Sequence, residues 1–406
     1  MRKFDFRKYA DSLLFALAIA VLVTILFYSL SRGGRDSKPA VAHVVFTHWW
    51  HEDIQRDVLL SLAAEFEDNH EGIRIILNEM PYESLRTDLF NFAGDDETLT
   101  FPGDVLALDP LWVPELINRG VIESAEIPIL SFINVLYYNI DILREAGFTR
   151  PPRTRSEFLT FARAVAANEE NRIAYALGFG LGENSPRGIH NAVYPWIWAA
   201  GARLVNNGNP VVTSAPVVQS FSFLATLSSE GLIAPGAFYA DNRDKLEDFV
   251  SGRTAFMIAS TRYIGLVRER MGDAAFNITS VPILDNQTGT PLFASLGWTL
   301  GIHSASAHNE EARLFSAFLA GRAAHISDNA SGAIPASPPP DPFYSNIWEI
   351  ALAGETAVDF SGLADEPVLE EIFREKLASL FAGTASPAET AAAIQERWLA
   401  ILREAF

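Results

Sequence analysis

The sequence predicts an α/β protein of two domains that follows an N-terminal apolar helix. Residues 43–406 are too many for one small core and suffice for two. Short apolar runs rich in β-branched residues alternate along them with segments of helical periodicity. Residues 12–30 form an apolar run without a charged residue. Because strands that alternate with helices usually pair in parallel, we expect a parallel sheet with helices on both faces.

The apolar run at residues 12–30 follows four basic residues, Arg2, Lys3, Arg7 and Lys8. As a helix, its 19 residues would span about 28 Å, close to the hydrocarbon thickness of a bilayer. Small residues suited to signal cleavage lie at 40–42, about ten positions beyond the run, and a poorer site lies at 29–31. We predict a short segment at 1–11, a transmembrane anchor at 12–30 and a linker at 31–42, with a cleaved signal as the alternative. Either version exports the body.

Charge and cysteine content exclude several classes of partner. Residues 43–406 hold 24 basic and 47 acidic residues, a formal charge of −23. A body this acidic repels nucleic acid and anionic membrane surfaces, so no nucleic-acid partner is expected. The chain contains no cysteine, which excludes disulfides, thiolate metal sites and a lipid-modified cysteine. The predicted helix at 12–30 is therefore the expected means of membrane attachment.

The first region reads as strand, helix, strand, then a third strand and a further helix. Strands are predicted at 44–47, 73–77 and 105–108. Between the first two, one helical face collects apolar side chains before Gly72 ends the helix. These are Ile54, Val58, Leu59, Leu62, Ala63 and Phe66. A short helix is expected at 114–119.

The second region keeps the α/β character. Strands are predicted at 136–139 and 255–259, and a helix at 310–320. Thr154 and Glu157 form a capping box that predicts a helix start. Ser386, Pro387 and Glu389 have the spacing of an N-cap, a first-turn proline and a second capping box, which predicts the last helix.

Several stretches, in this order and spacing, resemble the sugar-type extracellular solute-binding proteins, the family that includes maltose-binding protein. They are Thr-His-Trp-Trp at 47–50 and the segments 81–83, 102–109, 116–123, 128–139, 141–147, 151–154, 249–257 and 260–262. The resemblance implies a two-lobed periplasmic-binding-protein-like fold with a hinge between the lobes. It places lobe I at 43–131 and 293–332, and lobe II at 132–292 and 333–406. Relatives usually carry a long connection where this chain has only residues 124–127, which would trim the rim of lobe I.

Ligand-binding candidates are aromatic and polar residues at places where this fold would expose them. A sugar presents C–H groups on its ring faces, which aromatic rings cover, and hydroxyls at its edge, which carboxylates and amides bind. Several candidates directly follow predicted strands, the edge at which open α/β sheets bind ligands. The candidates are Trp49, Trp50, Asp109, Trp112, Phe132, Asn134, Asn191, Tyr194, Trp196, Arg262 and Trp298.

Each candidate also has a purely structural interpretation. Tryptophan and tyrosine side chains usually pack in a core or at its rim. Asp109 precedes a proline and is suited to cap the following helix. Phe132 and Asn134 are equally suited to line a hinge, and Arg262 is equally suited to pair with a neighbouring carboxylate.

Catalytic and metal sites find little support in the sequence. His48, His51 and Glu52 lack the i, i+4 histidine spacing of a helical zinc site, and no Gly-x-Ser-x-Gly elbow is present. We predict no catalytic residue, metal or cofactor. The predicted function is capture of a sugar or oligosaccharide outside the cytoplasm for delivery to the permease subunits of an ABC-type importer. A membrane-tethered sensing or interaction module is the alternative, followed by an anchored glycan hydrolase.

Overall fold

A computed structural model describes residues 41–91, 103–123, 127–168, 175–183, 185, 187–206, 209–287, 292–293, 295–356 and 366–404. The predicted N-terminal segment, the predicted anchor at 12–30 and most of the predicted linker lie outside these residues. Within the described ranges, no helix combines the length and apolar character needed to cross a bilayer.

Twelve strands are formed by the described residues. They are β1 (Ala42–His48), β2 (Ile73–Glu79), β3 (Val105–Leu108), β4 (Ile127–Asn139), β5 (Tyr175–Gly178), β6 (Val205–Asn206), β7 (Asn209–Pro210), β8 (Thr254–Ser260), β9 (Phe276–Thr279), β10 (Leu292–Phe293), β11 (Ser295–Ile302) and β12 (Glu355–Thr356). The predicted strands at 44–47, 73–77, 105–108 and 255–259 are confirmed, and the one at 136–139 is the end of the longer β4.

The main sheet is mixed, not parallel throughout. Its order is β2-β1-β3-β11-β4-β8-β5, with β9 paired to β4 off this path. The expected parallel pairing holds for β1 with β2 and β3, and for β5 with β8. The expectation is wrong for β11 with β3 and β4, and for β4 with β8 and β9, which are antiparallel. The direction of a strand depends on which distant segments pair, and the local alternation of elements does not encode that pairing.

Fifteen α-helices accompany these strands in the described ranges. They are Arg56–Asn69, Tyr82–Asn91, Val113–Asn118, Ile140–Glu145, Arg155–Ala167, Gly188–Ala192, Tyr194–Ala199, Ala215–Ser229, Asn242–Val250, Ile264–Met271, Asn309–Gly321, Ala323–Asp328, Pro342–Ala353, Glu366–Phe381 and Pro387–Glu404. Short 3-10 turns occupy Trp50–Glu52 and Thr261–Tyr263.

The predicted capping boxes differ in outcome. At the last helix, the Ser386 amide donates to Glu389 Oε2 at 2.8 Å and the Glu389 amide donates to Ser386 Oγ at 3.3 Å, so the reciprocal box is confirmed. At the helix Arg155–Ala167, Thr154 accepts from the Glu157 amide, but the Glu157 carboxylate bonds Arg150 and the Arg153 amide. Glu157 therefore ties down the preceding loop and does not close the box.

Strand β4 passes from one lobe to the other. Its first half pairs with β11 up to Ile133, and its second half pairs with β8 from Asn134 onward. Phe132 belongs to a core cluster with residues from β1, β2 and β3, whereas Ile133 belongs to a different cluster with β8 and β9. Beyond Ile133, Val135 and Leu136 lie in separate clusters, since alternate residues face opposite sides of the sheet. We call the cluster containing Phe132 the first lobe and the other two the second lobe.

Candidate functional site

A cavity of about 940 Å³ lies between the lobes. The first lobe contributes Trp49, Asp53, Tyr82, Asp109 and Trp298 to its wall, among others. From the second lobe come Arg187, Asn191, Arg243, Ser260 and Arg262. The volume falls at the upper end of the range typical of small-molecule pockets.

One side of the cavity is aromatic. Trp49 follows β1 directly, and its ring meets Tyr82, Trp112 and Trp298 at centroid distances of 5.1, 5.3 and 5.7 Å. Phe132 continues this wall, with its ring 5.2 Å from that of Trp298. The Trp49 indole nitrogen is buried without a hydrogen-bond partner in the described part of the chain. Because Trp49 is fully buried in this conformation, this donor is not accessible from the cavity.

The carboxylate of Asp109 is the centre of the polar side. Asp109 follows β3, is 5% exposed, and accepts hydrogen bonds from the Tyr82 hydroxyl and the Leu111 amide, each at 2.9 Å. The Arg187 guanidinium of the second lobe also donates to it. Burial, reinforced by the neighbouring Asp109 carboxylate, raises the pKa of Tyr82 well above its ordinary value, so the phenol remains a neutral donor.

Asp53 forms a second ion pair across the cavity. Arg262, in the 3-10 turn after β8, donates from Nε to Asp53 Oδ2 at 2.7 Å. Its guanidinium carbon lies 5.6 Å from the ring centroid of Trp298, a cation–π geometry. The alternative of carboxylate pairing for Arg262 is therefore realised at the cavity wall itself.

The glycine-rich loop after β5 positions Arg187. Gly182 leaves no room for a side chain, because a Cβ there would lie 2.8 Å from the Ala240 carbonyl oxygen. A Cβ on Gly188 would lie 2.6 Å from the Gly180 carbonyl oxygen. Between them Arg187 has φ +56°, the left-handed region that non-glycine residues adopt rarely. The compact loop holds Arg187 in this backbone conformation and directs it to Asp109.

The eleven predicted ligand residues divide into three sets. Six line the cavity, namely Trp49, Asp109, Phe132, Asn191, Arg262 and Trp298. Asn134 lies behind this wall, and its side-chain amide donates to Asn191 Oδ1 at 3.4 Å. The remaining four, Trp50, Trp112, Tyr194 and Trp196, are buried and do not line the cavity.

These four tryptophan and tyrosine residues lie behind the cavity wall or in the second-lobe core, so their contact with a ligand stays a prediction. Trp50 stacks on Trp298 at 5.7 Å, and Trp112 supports Trp49 from behind. Tyr194 packs on Phe373 at 5.1 Å, and Trp196 packs on Phe158 at 5.2 Å, both in the second-lobe core. Large aromatic surfaces contribute most to stability when they are fully buried. A position close to a predicted strand end therefore did not distinguish residues that line the cavity from residues packed behind it.

Sequence reasoning missed Asp53, Tyr82 and Arg187 as wall residues. Tyr82 belongs to the turn at 81–83 that contributed to the family resemblance, and Asp53 follows the Trp49–Trp50 pair, so both had a local signal. Arg187 had none, because its partner Asp109 lies 78 positions away in the chain.

The metal alternative gains no support from the described residues, which contain no group of three His, Asp or Glu side chains arranged to hold an ion. His48 is fully buried beside Phe46 and Trp50, and burial, followed by the nearby His51, lowers its pKa to about 4. At neutral pH it is an uncharged core side chain.

Comparison with known proteins shows which family the chain matches. Residues 53–326 match the model of the bacterial extracellular solute-binding protein family. A Deinococcus radiodurans protein named "Probable ABC transporter-binding protein" is 25% identical over 191 residues, which cover 46% of this chain and 45% of the relative. The chain thus spans about half the length of the curated relatives it matches.

Solved structures share the fold. The cyclic alpha-maltosyl-1,6-maltose binding protein from Arthrobacter globiformis superposes with a TM-score of 0.72 at 16% identity, covering 89% of this chain and 99% of the other. The GacH receptor of Streptomyces glaucescens, solved unliganded and with acarbose, gives a TM-score of 0.70 at 18% identity with the same coverage. At such identities the likeness concerns the fold.

Proposed function

This chain belongs to the bacterial extracellular solute-binding proteins, and we propose that its interlobe cavity captures an uncharged sugar or oligosaccharide. The observation that carries the proposal is a single cavity whose wall joins aromatic rings to hydrogen-bonding groups. Trp49, Tyr82 and Trp298 are suited to the C–H faces of a sugar ring, and Asp109 and Asn191 to its hydroxyls.

The charges of the wall favour an uncharged ligand over an anion. Arg187 and Arg262 already pair with Asp109 and Asp53, so their charges are balanced within the protein. Further carboxylates, Glu83 and Glu269, border the same cavity. Acidic side chains on the cavity wall outnumber the arginines, Arg243 included, so a phosphate ester or a uronate would meet a negative potential there.

Delivery to an ABC-type importer is the role we assign to the captured sugar. The β4 crossing supplies a hinge about which the lobes open and close. Of the solved structures named above, one is a cyclic alpha-maltosyl-1,6-maltose binding protein and the other is a receptor in complex with acarbose, and the Deinococcus relative is named for an ABC transporter. In this proposal the body acts outside the cytoplasm, residues 12–30 tether it to the membrane, and the closed lobes dock on permease subunits.

A thermal-shift screen of the full chain against maltose, maltotriose, a cyclic maltosyl-maltose, chitin oligosaccharides, amino acids and glycerol phosphates tests the ligand class. A ligand that binds only the folded state at about 100 times its Kd stabilises that state by about 2.7 kcal/mol. We expect at least one sugar to raise the melting temperature. A shift produced only by an amino acid or a phosphate ester would contradict the proposal.

The same oligosaccharides also distinguish binding from hydrolysis. Chromatography of each oligosaccharide after prolonged incubation with the protein should return it uncleaved. Cleavage products that disappear with heat-inactivated protein would identify an anchored glycan hydrolase instead.

A further inference from the structure

The helix Gly188–Ala192 carries two residues of the cavity wall. Arg187 is its N-cap, Asn191 lies within it, and both side chains line the cavity. The Asn191 amide donates to the Arg187 carbonyl at 2.9 Å, so the two residues lie one helical turn apart on the same side of the helix. The placement of this single turn therefore decides where both side chains meet the cavity.

The first turn of this helix has no cap from its own N-cap residue. Amides in the first turn of a helix lack a partner within the helix, and a Ser, Thr, Asp or Asn at the N-cap usually bonds one of them. Arg187 makes no such bond, because its guanidinium has donors and no acceptor. A helix of five residues also gains little stability from its own hydrogen bonds. The turn therefore depends on contacts from elsewhere in the chain.

A carboxylate from the C-terminal part of the chain supplies the missing acceptors. Glu370 Oε1 accepts from the His190 amide at 2.8 Å, and Glu370 Oε2 accepts from the Ile189 amide at 3.2 Å. Glu370 lies 180 positions from His190 in the chain. Hydrogen bonds to an ionised acceptor are stronger than neutral ones, and a negative charge is favourable at the N-terminus of a helix. One side chain thus holds two amides of the first turn.

Both sides of this contact are fixed by their surroundings. Glu370 belongs to the helix Glu366–Phe381, whose residues Leu369 and Phe373 are 2% and 0% exposed in the second-lobe core. The chain before the short helix is held by the glycine loop, in which the Gly188 amide donates to the Ser185 carbonyl at 3.1 Å. Little conformational entropy is therefore lost when the carboxylate meets the two amides.

We propose that Glu370 is a positioning residue of the binding site, which places Arg187 and Asn191 on the cavity wall by holding the first turn of the helix Gly188–Ala192. The helix Glu366–Phe381 thereby takes part in shaping the site, although none of its described residues lines the cavity. All of these contacts lie within the second lobe, so they do not depend on the angle between the lobes. Contact of Asn191 with a sugar rests on the proposed function, whereas the placement of the helix does not.

Hydrogen exchange at single-residue resolution tests this role in the full chain without ligand. In Glu370→Ala the Ile189 and His190 amides lose their acceptor, and we expect both to exchange about tenfold faster, as for loss of a charge-assisted contact. The Asn191 amide does not touch Glu370, yet it should also exchange about tenfold faster, because the turn that carries its acceptor is no longer held. This third change reports positioning of the cavity wall.

A conservative variant and a matched control isolate the carboxylate. Glu370→Gln preserves the shape of the side chain but keeps one acceptor oxygen, so protection should remain at one of the Ile189 and His190 amides and fall at the other. The control is Glu371→Ala, which removes the adjacent carboxylate on the same helix, paired with Arg374. It should leave the exchange of the short helix unchanged.

Three outcomes would overturn the proposal. The first is exchange of the Asn191 amide in Glu370→Ala that equals the exchange in Glu371→Ala. The second is parental exchange at both first-turn amides in Glu370→Gln. The third is an equal rise at the amides of β8, which would show a general loss of stability in the second lobe. Because no sugar is present, each of these failures is independent of the outcome of the thermal-shift screen.

Discussion

Replacement of the buried Lys245 by Met should raise stability at neutral pH and flatten its dependence on pH. Lys245 lies in the helix Asn242–Val250 and is 2% exposed. Its ammonium nitrogen donates to the Ile258 carbonyl of β8 at 2.9 Å. Burial lowers the pKa of Lys245 from 10.5 to about 7. A methionine fills a similar volume without a charge to desolvate.

The sign follows from proton binding in the two states. Between pH 7 and 10.5 the unfolded chain holds a proton at this lysine that the folded chain lacks, so stability rises with pH across this window. The contribution of Lys245 to the free energy of unfolding is fully present above its pKa in the unfolded chain. It is lost as the pH falls through its lower pKa in the folded chain. Through this proton the free energy of unfolding changes by about 5 kcal/mol over the whole pH window, and about 2 kcal/mol of that change falls between pH 7 and pH 9.

Urea denaturation at pH 7 and pH 9 measures this difference. The free energy of unfolding of the parent should rise between the two pH values by about 2 kcal/mol more than that of Lys245→Met. Lys376→Met, which removes a partly exposed lysine paired with Glu375, is the control and should follow the parent. Parallel pH dependence in the parent and Lys245→Met would refute the reasoning.

Three further predictions concern the core, the acid range and the cleft. Trp50→Ala should lower the free energy of unfolding without ligand by about 3–5 kcal/mol in urea titrations, whereas Tyr239→Ala at an exposed site should change it by about 0.5 kcal/mol or less; an equal effect would show that Trp50 is not a core residue. In the folded protein the pKa of His48 is lowered to about 4. The uncharged imidazole therefore contributes about 3 kcal/mol to the free energy of unfolding above pH 6.5, and this contribution is lost as the pH falls towards 4. His48→Phe should lessen that acid loss in urea titrations at pH 7 and pH 4.5, and an unaltered loss would contradict the assignment. Asn191→Ala should weaken binding of the sugar identified by the screen about tenfold by calorimetry, and an unchanged Kd would remove Asn191 from the ligand contacts.

The fold class and several of its elements were predictable because those elements carry local signals. The strand at 105–108 was placed at its observed bounds, and the helix Pro387–Glu404 begins at the predicted cap. The antiparallel returns of β4 and β11 were not predicted, since strand direction depends on which distant segments pair. The first-lobe and second-lobe cores meet at Phe132 and Ile133, within the segment predicted as a hinge.

The candidate site was predictable only in part. Trp49 and Trp50 are neighbours with the same local signal, yet Trp49 lines the cavity and Trp50 is packed behind Trp298. A difference of one position changes which side of the chain a ring occupies, and only packing against the rest of the lobe decides which side faces the cavity. Trp196 shows the same limit in the second lobe, where it lies in the helix Tyr194–Ala199 within the core.

By itself the sequence determined the α/β class, the membership of a solute-binding family and the approximate positions of several strands and helices, because hydrophobic periodicity, capping residues and motif order are local properties. Only the tertiary structure decided which side chains face each other across the cleft. Asp109 and Arg187, and likewise Asp53 and Arg262, come from distant segments with no shared pattern. They meet because strand β4 passes from one lobe to the other, and no local interaction along the chain encodes that arrangement.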